Sequence, residues 1–151
     1  MAIALNKFLL TGAALSAIAA SLHIAIIIFG APWYRFFGAG EEMATRAASG
    51  HWSPLAITSG IAVVLAIWVL YALSGAGAIR RLPFVKPILF FITAVYLLRG
   101  LVIVPMLLFA PEQTTPFWYW SSAICFTYGV VHLVGLVQVW SRLEAPVSKP
   151  A

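Results

Sequence analysis

The chain has 151 residues, 63% of them hydrophobic and 9% charged, with a mean hydropathy of +1.01. Soluble domains are roughly half apolar and a quarter charged, so this composition excludes a water-soluble globule and points to a chain dissolved in a bilayer. The formal charge of +5 does not mark a nucleic-acid binder, because the basic residues are scattered along the chain rather than gathered on one soluble face.

A bilayer accepts runs of about 20 apolar residues, each satisfying its own backbone hydrogen bonds as a helix. Four such runs are present. The first, about 8–30, follows Asn6-Lys7 and carries His23. Lys7 ahead of an apolar stretch, with Ala17-Ile18-Ala19 resembling a cleavage site, also fits a secretory signal peptide. The apolar pattern continues through Ile24 to Phe29, which favours a retained helix. The second run, 54–73, opens at Ser53-Pro54, read as a capping serine and a first-position proline, and gives out at Ser74-Gly75-Ala76-Gly77. Arg80, Arg81 and Lys86 precede Pro87, which starts the third run, 87–109. Pro105 leaves the Leu101 carbonyl without its helical donor and is expected to bend that helix. Thr115-Pro116 repeats the cap-and-proline device before the fourth run, 116–140, and 143–151 reads as a disordered tail. The expected fold is all-α: a four-transmembrane-helix bundle forming one membrane domain over 1–142, with a short interfacial helix in the first outer loop.

Lys7, Arg80, Arg81, Lys86, Arg142 and Lys149 fall on one side of the spans, and Arg35 and Arg46 on the other. The positive-inside bias therefore puts both termini in the cytoplasm. Interfacial aromatics agree, with Trp33, Tyr34, Trp52, Trp118, Tyr119 and Trp120 at the outer boundary and Trp68, Tyr71 and Trp140 at the inner. Small residues recur every fourth position on the first helix, as Gly12, Ser16, Ala20 and as Ala13, Ala17, Ser21, Ala25. Shorter pairs occur at Ala56/Gly60, Ala62/Ala66 and Cys125/Gly129. Such faces let helices approach closely, either within one subunit or, on the first helix, as a seam for a homo-oligomer or a larger membrane complex. Membrane lipids are the other expected partners. Cys125, the lone cysteine, allows no intrachain disulfide.

Arg99 lies about 11 residues from either end of the third run, roughly 16 Å of helix rise, near the bilayer centre. A guanidinium there should face the bundle interior, and no span contains an aspartate or glutamate to pair with it. Its partners are then helix carbonyls near Pro105, hydroxyls and imidazoles, or a bound anion. Tyr96 shares its helix face, and Tyr128 shares a face with His132, so Arg99, Tyr96, His132 and Tyr128 are expected to form an interior polar cluster. His23 is the third ionisable group within a span. Each histidine is either a satisfied structural residue or a ligand or proton-relay group. They lie at unequal depths, about 10 and 22 Å from the outer surface, which argues against an axial haem pair. No cofactor is expected.

The outer loop 31–52 should hold a short helix, with Glu41 and Glu42 in its positive first turn, Glu42 and Arg46 as an i,i+4 pair, and Gly50 at its end. It is either an interfacial helix or a lid in which Glu41, Glu42 and His51 face an opening between helices. Neither spacing nor residue type makes a metal motif, and no tightly held metal is expected.

The segment Trp33-Tyr34-Arg35-Phe36-Phe37-Gly38-Ala39-Gly40-Glu41-Glu42, with Leu70-Tyr71-Ala72-Leu73-Ser74-Gly75-Ala76-Gly77 and Ala94-Val95-Tyr96-Leu97-Leu98-Arg99-Gly100, resembles small uncharacterised bacterial inner-membrane proteins. That resemblance implies localisation and a single four-helix unit, and carries no biochemical role. The expected function is a non-enzymatic binder of a small ligand or lipid, or an accessory subunit of a membrane complex. One alternative is an intramembrane enzyme acting on a lipid or isoprenoid, with His132 as acid, Arg99 as anion holder and Glu41/Glu42 as base. A second is an oligomeric proton-coupled transporter.

Overall fold

The structure, a computed structural model, describes residues 4–144. In chain order it comprises α1 (Lys7–Phe29), α2 (Ala31–Phe36), α3 (Glu41–Ala48), α4 (Trp52–Ala76), α5 (Val85–Leu101), α6 (Ile103–Phe109), a 3-10 turn at Pro111–Gln113, and α7 (Pro116–Glu144). No strand occurs among the described residues. Four segments, Lys7–Phe29, Trp52–Ala76, Val85–Phe109 and Pro116–Leu143, are long and apolar enough to cross a membrane. Between 22% and 33% of each span is buried inside the protein, so most of its apolar side chains point outward. Ile28, Phe90 and Val137, each at least 60% exposed, make a surface that hydrocarbon accepts and water does not. The chain is built as a multi-pass membrane protein.

Helix boundaries follow local chemistry, with four differences from the sequence reading. α4 begins at Trp52, and its cap is His51 rather than Ser53: the imidazole Nδ1 accepts the Ser53 N–H at 3.2 Å and pairs with the Ser53 hydroxyl at 2.9 Å. Pro54 and Pro87 fall in first turns rather than at first positions, where a missing N–H removes no helical bond. α4 also continues to Ala76 before Gly77, at φ +81, turns the chain, with the Ala78 N–H reaching back to the Leu73 carbonyl. α7 runs through Glu144, so residues 143 and 144 are helical rather than part of a tail. The rest of that expected tail lies outside the described residues. Ahead of Pro105 the helix is interrupted: α5 stops at Leu101 and α6 resumes at Ile103, with Val102 as the joint.

α1 packs most extensively on α4, and α5 on α7; α1–α7 and α4–α5 contacts close the bundle. Glycines fix the register. A Cβ at Gly100 would stand 2.6 Å from the Phe126 backbone, and one at Gly129 would stand 2.9 Å from the Leu97 nitrogen, so α5 and α7 touch main chain to main chain. On α1, Gly12, Ser16 and Ala20 are buried, which takes up that small-residue face inside the single chain. The Ala56/Gly60 pair differs: both are exposed, and a Cβ at Gly60 meets nothing within 4 Å.

One end of the bundle gathers the basic residues. Buried Asn6 ties three helices there: its side-chain oxygen caps α1 at Leu9 N, its amide nitrogen donates to Gln138 at 2.8 Å, and its backbone N–H donates to the Ala76 carbonyl. Arg142 donates to the Ala4 carbonyl, Arg81 reaches the Leu143 carbonyl, and the Lys86 ammonium sits 3.9 Å from the centre of the Trp140 ring.

Gly100→Ala should destabilise the bundle by about 1–3 kcal/mol, because rigid backbone cannot yield to the new methyl. Gly60→Ala should be neutral or mildly stabilising. Unfolding by denaturing detergent in mixed micelles measures both, and equal stability of the two variants would contradict the packing described.

Candidate functional site

Each of the four spans sends a side chain to a buried polar centre. Tyr96 of α5 shares a 2.9 Å hydrogen bond with Ser16 of α1, and its ring meets Trp68 of α4 at 4.9 Å, Tyr128 of α7 at 5.5 Å and His132 of α7 at 5.2 Å. Trp68 is therefore a bundle residue rather than the inner-boundary anchor expected from sequence. His132 is fully buried, and its Nδ1 lies 2.8 Å from the Tyr128 carbonyl. A carbonyl only accepts, so Nδ1 is the donor in that contact, and in a neutral ring Nε2 is then an acceptor. That nitrogen is buried and has no hydrogen-bond partner among the described residues. Gly12 makes room for the ring, since a Cβ there would lie 2.7 to 3.0 Å from three of its atoms. Tyr96, Tyr128 and His132 are thus brought together.

Arg99 stands apart from them, which corrects the expected four-membered cluster. The contacts Gly100–Phe126 and Leu97–Gly129 set the Arg99 backbone opposite Thr127 in the antiparallel pair. Its guanidinium meets Ser121 at 3.0 Å and Ser122 at 3.4 Å, about five residues or ~8 Å nearer the start of α7, and lies 4.8 Å from the centre of the Trp118 ring. The long side chain climbs toward the span end, away from His132, because a charge gains by leaving the bilayer centre for hydroxyls and an aromatic face. Of the three kinds of partner anticipated, hydroxyls are the ones it contacts.

The loop 30–51 folds into a cap at the end opposite the basic residues. Ile26, Tyr34 and Ala44 are buried together in a small second core, joined by Trp33, Phe37 and Met43. Tyr34 is its anchor: the hydroxyl donates to the Pro54 carbonyl at 3.1 Å and shares a 2.8 Å bond with Thr58, fixing α2 to the first turns of α4. Tyr34 is accordingly buried within the protein, at the level of the first turns of α4. Gly38, at φ +72, lets the cap's backbone touch the Phe117 side chain, where a Cβ would be 2.7 Å away. Glu41 is held in a two-pronged contact by Arg35, with three N···O distances from 2.7 to 3.0 Å. Glu42 pairs with Arg46 at 2.6 Å, as its i,i+4 spacing predicts.

Glu41, Glu42 and His51 do not converge on an opening. Each is engaged separately, the two carboxylates by arginines and the imidazole as the cap of α4. His23 also stands alone, partly buried, with Nδ1 bonded to the Ala19 carbonyl of its own helix at 2.8 Å. Among the described residues no three His, Cys, Asp or Glu side chains are grouped to hold a metal.

Where the cap meets the start of α7, an open cleft of about 610 Å³ forms, walled by Phe36, Phe37, Phe117, Trp120 and Ile124. Its polar lining comes from the Arg35–Glu41 pair, Thr115 and Ser121. Ser121 faces both ways, lining the cleft and accepting from Arg99. Sequence reasoning passed over Ser121, Ser122, Ser16 and Asn6. A small hydroxyl in a span reads as a packing residue until the neighbouring helix is in place, and only the Arg99 charge signalled that hydroxyl partners were needed.

Replacing Tyr96 by Phe removes the buried bond to Ser16. A double-mutant cycle with Ser16→Ala, read by unfolding in detergent, should give a coupling of about 0.5–1.5 kcal/mol; zero coupling would contradict the bond. The hydrogen bonds from Arg35, with its charge, hold the Glu41 carboxyl below the usual carboxylate range. The sign follows: this contact contributes at neutral pH and is lost as pH falls through the lowered midpoint, and it contributes little because both groups are solvated. Carbon NMR of the Glu41 carboxyl should give a lower midpoint in the parent chain than in Arg35→Gln. Identical midpoints would contradict the pairing.

Compared with protein-family models, with curated proteins and with solved structures, the chain matches none.

Proposed function

We propose that this chain is a non-enzymatic lipid-binding protein of the bacterial cytoplasmic membrane, with both termini in the cytoplasm and the α2–α3 cap on the outer face. The orientation is supported by the side on which the basic residues collect: Lys7, Arg80, Arg81, Lys86 and Arg142 belong to one end of the bundle, and the Glu-bearing cap to the other. α3 then lies at the interface, with Ala44 turned onto the bundle and Glu41, Glu42, Thr45 and Arg46 toward water.

The observation that carries the reading is the cleft between the cap and α7. Its volume falls within the range of about 300–1,000 Å³ typical of small-molecule sites. A lining that combines aromatic rings with an ion pair and two hydroxyl residues suits a molecule with a greasy chain and a polar head. Phe36 and Trp120, at 83% and 72% exposed, are large rings with little protein to cover them. A bound acyl chain covers both. Catalysis gains less support, because the carboxylates and His51 are already committed to the cap's own structure.

The double variant Phe36→Ala/Trp120→Ala tests this. Purified in mild detergent, it should retain several-fold less co-purified lipid by native mass spectrometry, with its melting temperature close to that of the parent because neither ring is in the core. Equal lipid retention by parent and variant would overturn the reading.

A further inference from the structure

The hydrogen-bonding capacity of Arg99 exceeds what the protein supplies. A guanidinium has five N–H donors, and two of those on Arg99 meet the Ser121 and Ser122 hydroxyls at 3.0 and 3.4 Å. Trp118 covers one face. No ion pair involves Arg99 among the described residues; the two that occur, Arg35–Glu41 and Arg46–Glu42, belong to the cap. Neutral hydroxyls and a ring quadrupole soften a full charge within a span without cancelling it. Among the described residues, three N–H groups and one positive charge remain, one side chain away from a cleft large enough for a ligand.

Ser121 connects the two. Its hydroxyl accepts from Arg99 and donates to the Trp118 carbonyl at 3.4 Å, a long bond that a headgroup oxygen would have to replace, and the same residue lines the cleft with Phe36, Phe117, Trp120 and Ile124. Arg35, the cation in the cleft's lining, is neutralised by Glu41 in two-pronged contact, so the excess charge comes from Arg99, which does not line the cleft itself and meets it through Ser121. A planar guanidinium with donors to spare matches the paired oxygens of a phosphate or carboxylate.

We propose that the cleft selects anionic lipids: the headgroup oxygens meet the Ser121 hydroxyl and the Arg99 guanidinium, and the acyl chain runs over Trp120 and Phe36. This rests on the lipid-binding reading above and names the class of lipid. Arg99 then acts as a counter-charge, and one interaction explains both its lack of a carboxylate partner and its climb toward Ser121. An anion at that position also relieves the burial of an unpaired charge, so binding and stability rise together.

The test titrates short-chain phosphatidylglycerol and phosphatidylcholine into detergent-solubilised parent, Arg99→Gln, Ser121→Ala and Trp120→Ala, reading thermal stabilisation and bound lipid by native mass spectrometry. The parent should prefer phosphatidylglycerol by about tenfold, the equivalent of one charge-assisted contact. Arg99→Gln should abolish that preference and leave phosphatidylcholine binding unchanged. Ser121→Ala, which keeps the charge and the fold if Arg99→Gln does not fold, should reduce the preference several-fold. Trp120→Ala should weaken both lipids equally. Preference undiminished in Arg99→Gln or, if that variant does not fold, in Ser121→Ala overturns the inference, and if Trp120→Ala still weakens both lipids, the cleft reading survives. Lipid binding indifferent to Trp120→Ala overturns the cleft itself. Inorganic phosphate should not stabilise the parent at millimolar concentration; stabilisation equal to that by phosphatidylglycerol would make the ligand a free anion and overturn a lipid headgroup.

Discussion

Hydrocarbon offers no hydrogen bonds, and the arrangement of this bundle follows from that constraint. Each span satisfies its own backbone as a helix, so what remains to be settled is where the few polar side chains go. Tyr96 turns to Ser16, His132 bonds back to its own helix, and Arg99 reaches across to α7. The largest demand is that of Arg99, which brings a permanent charge into a span without any carboxylate. Its long stem lets it pack as an apolar residue at the level of Thr127 while its head is solvated by serines nearer the cap. The backbone contact at Gly100 and Phe126 makes this possible, because it holds α5 and α7 close enough for the head to reach those hydroxyls.

The same end of the bundle carries the cap. Tyr34 fastens α2 to the start of α4, Gly38 brings the loop onto Phe117, and the cleft is the space left between that loop and α7. Ser121 is therefore the hinge of the functional reading, sitting at the boundary between a charged interior group and an aromatic surface open to lipid. The polar centre around Tyr96 is a different kind of feature. It lies in the core, draws on all four spans, and is closed by the fit of His132 against Gly12. It serves specificity of packing: a bundle of interchangeable apolar faces gains a unique register when a few polar side chains must meet.

Much of the architecture is legible in the chain itself, where the relevant physics is local. Span number and approximate limits follow from apolar length; the break before Pro105 follows from one missing N–H; the Glu42–Arg46 pair follows from helical spacing. Contacts between helices were legible only in part. The faces of Tyr96 and Tyr128 could be read from spacing, and those residues do meet. Arg99 shares a face with Tyr96 but not a destination, because a flexible side chain follows the gradient of solvation rather than the direction of its Cα–Cβ bond. Residue preference points to Ser53 as the α4 cap, whereas the chain uses the His51 imidazole nitrogen, outside the usual set of capping side chains. Nothing local marks Asn6, since its bonds to Gln138 and Ala76 join residues far apart in sequence.

The account depends on the Arg99 head lying inside the protein, against α7, rather than among acyl tails. Solid-state NMR in lipid bilayers, with nitrogen-labelled arginine and carbon-labelled serine, measures this directly. A through-space correlation from the Arg99 guanidinium nitrogens to the Ser121 and Ser122 β-carbons is the predicted result. Absence of that correlation, together with contacts from the same nitrogens to lipid methylene protons, would contradict it.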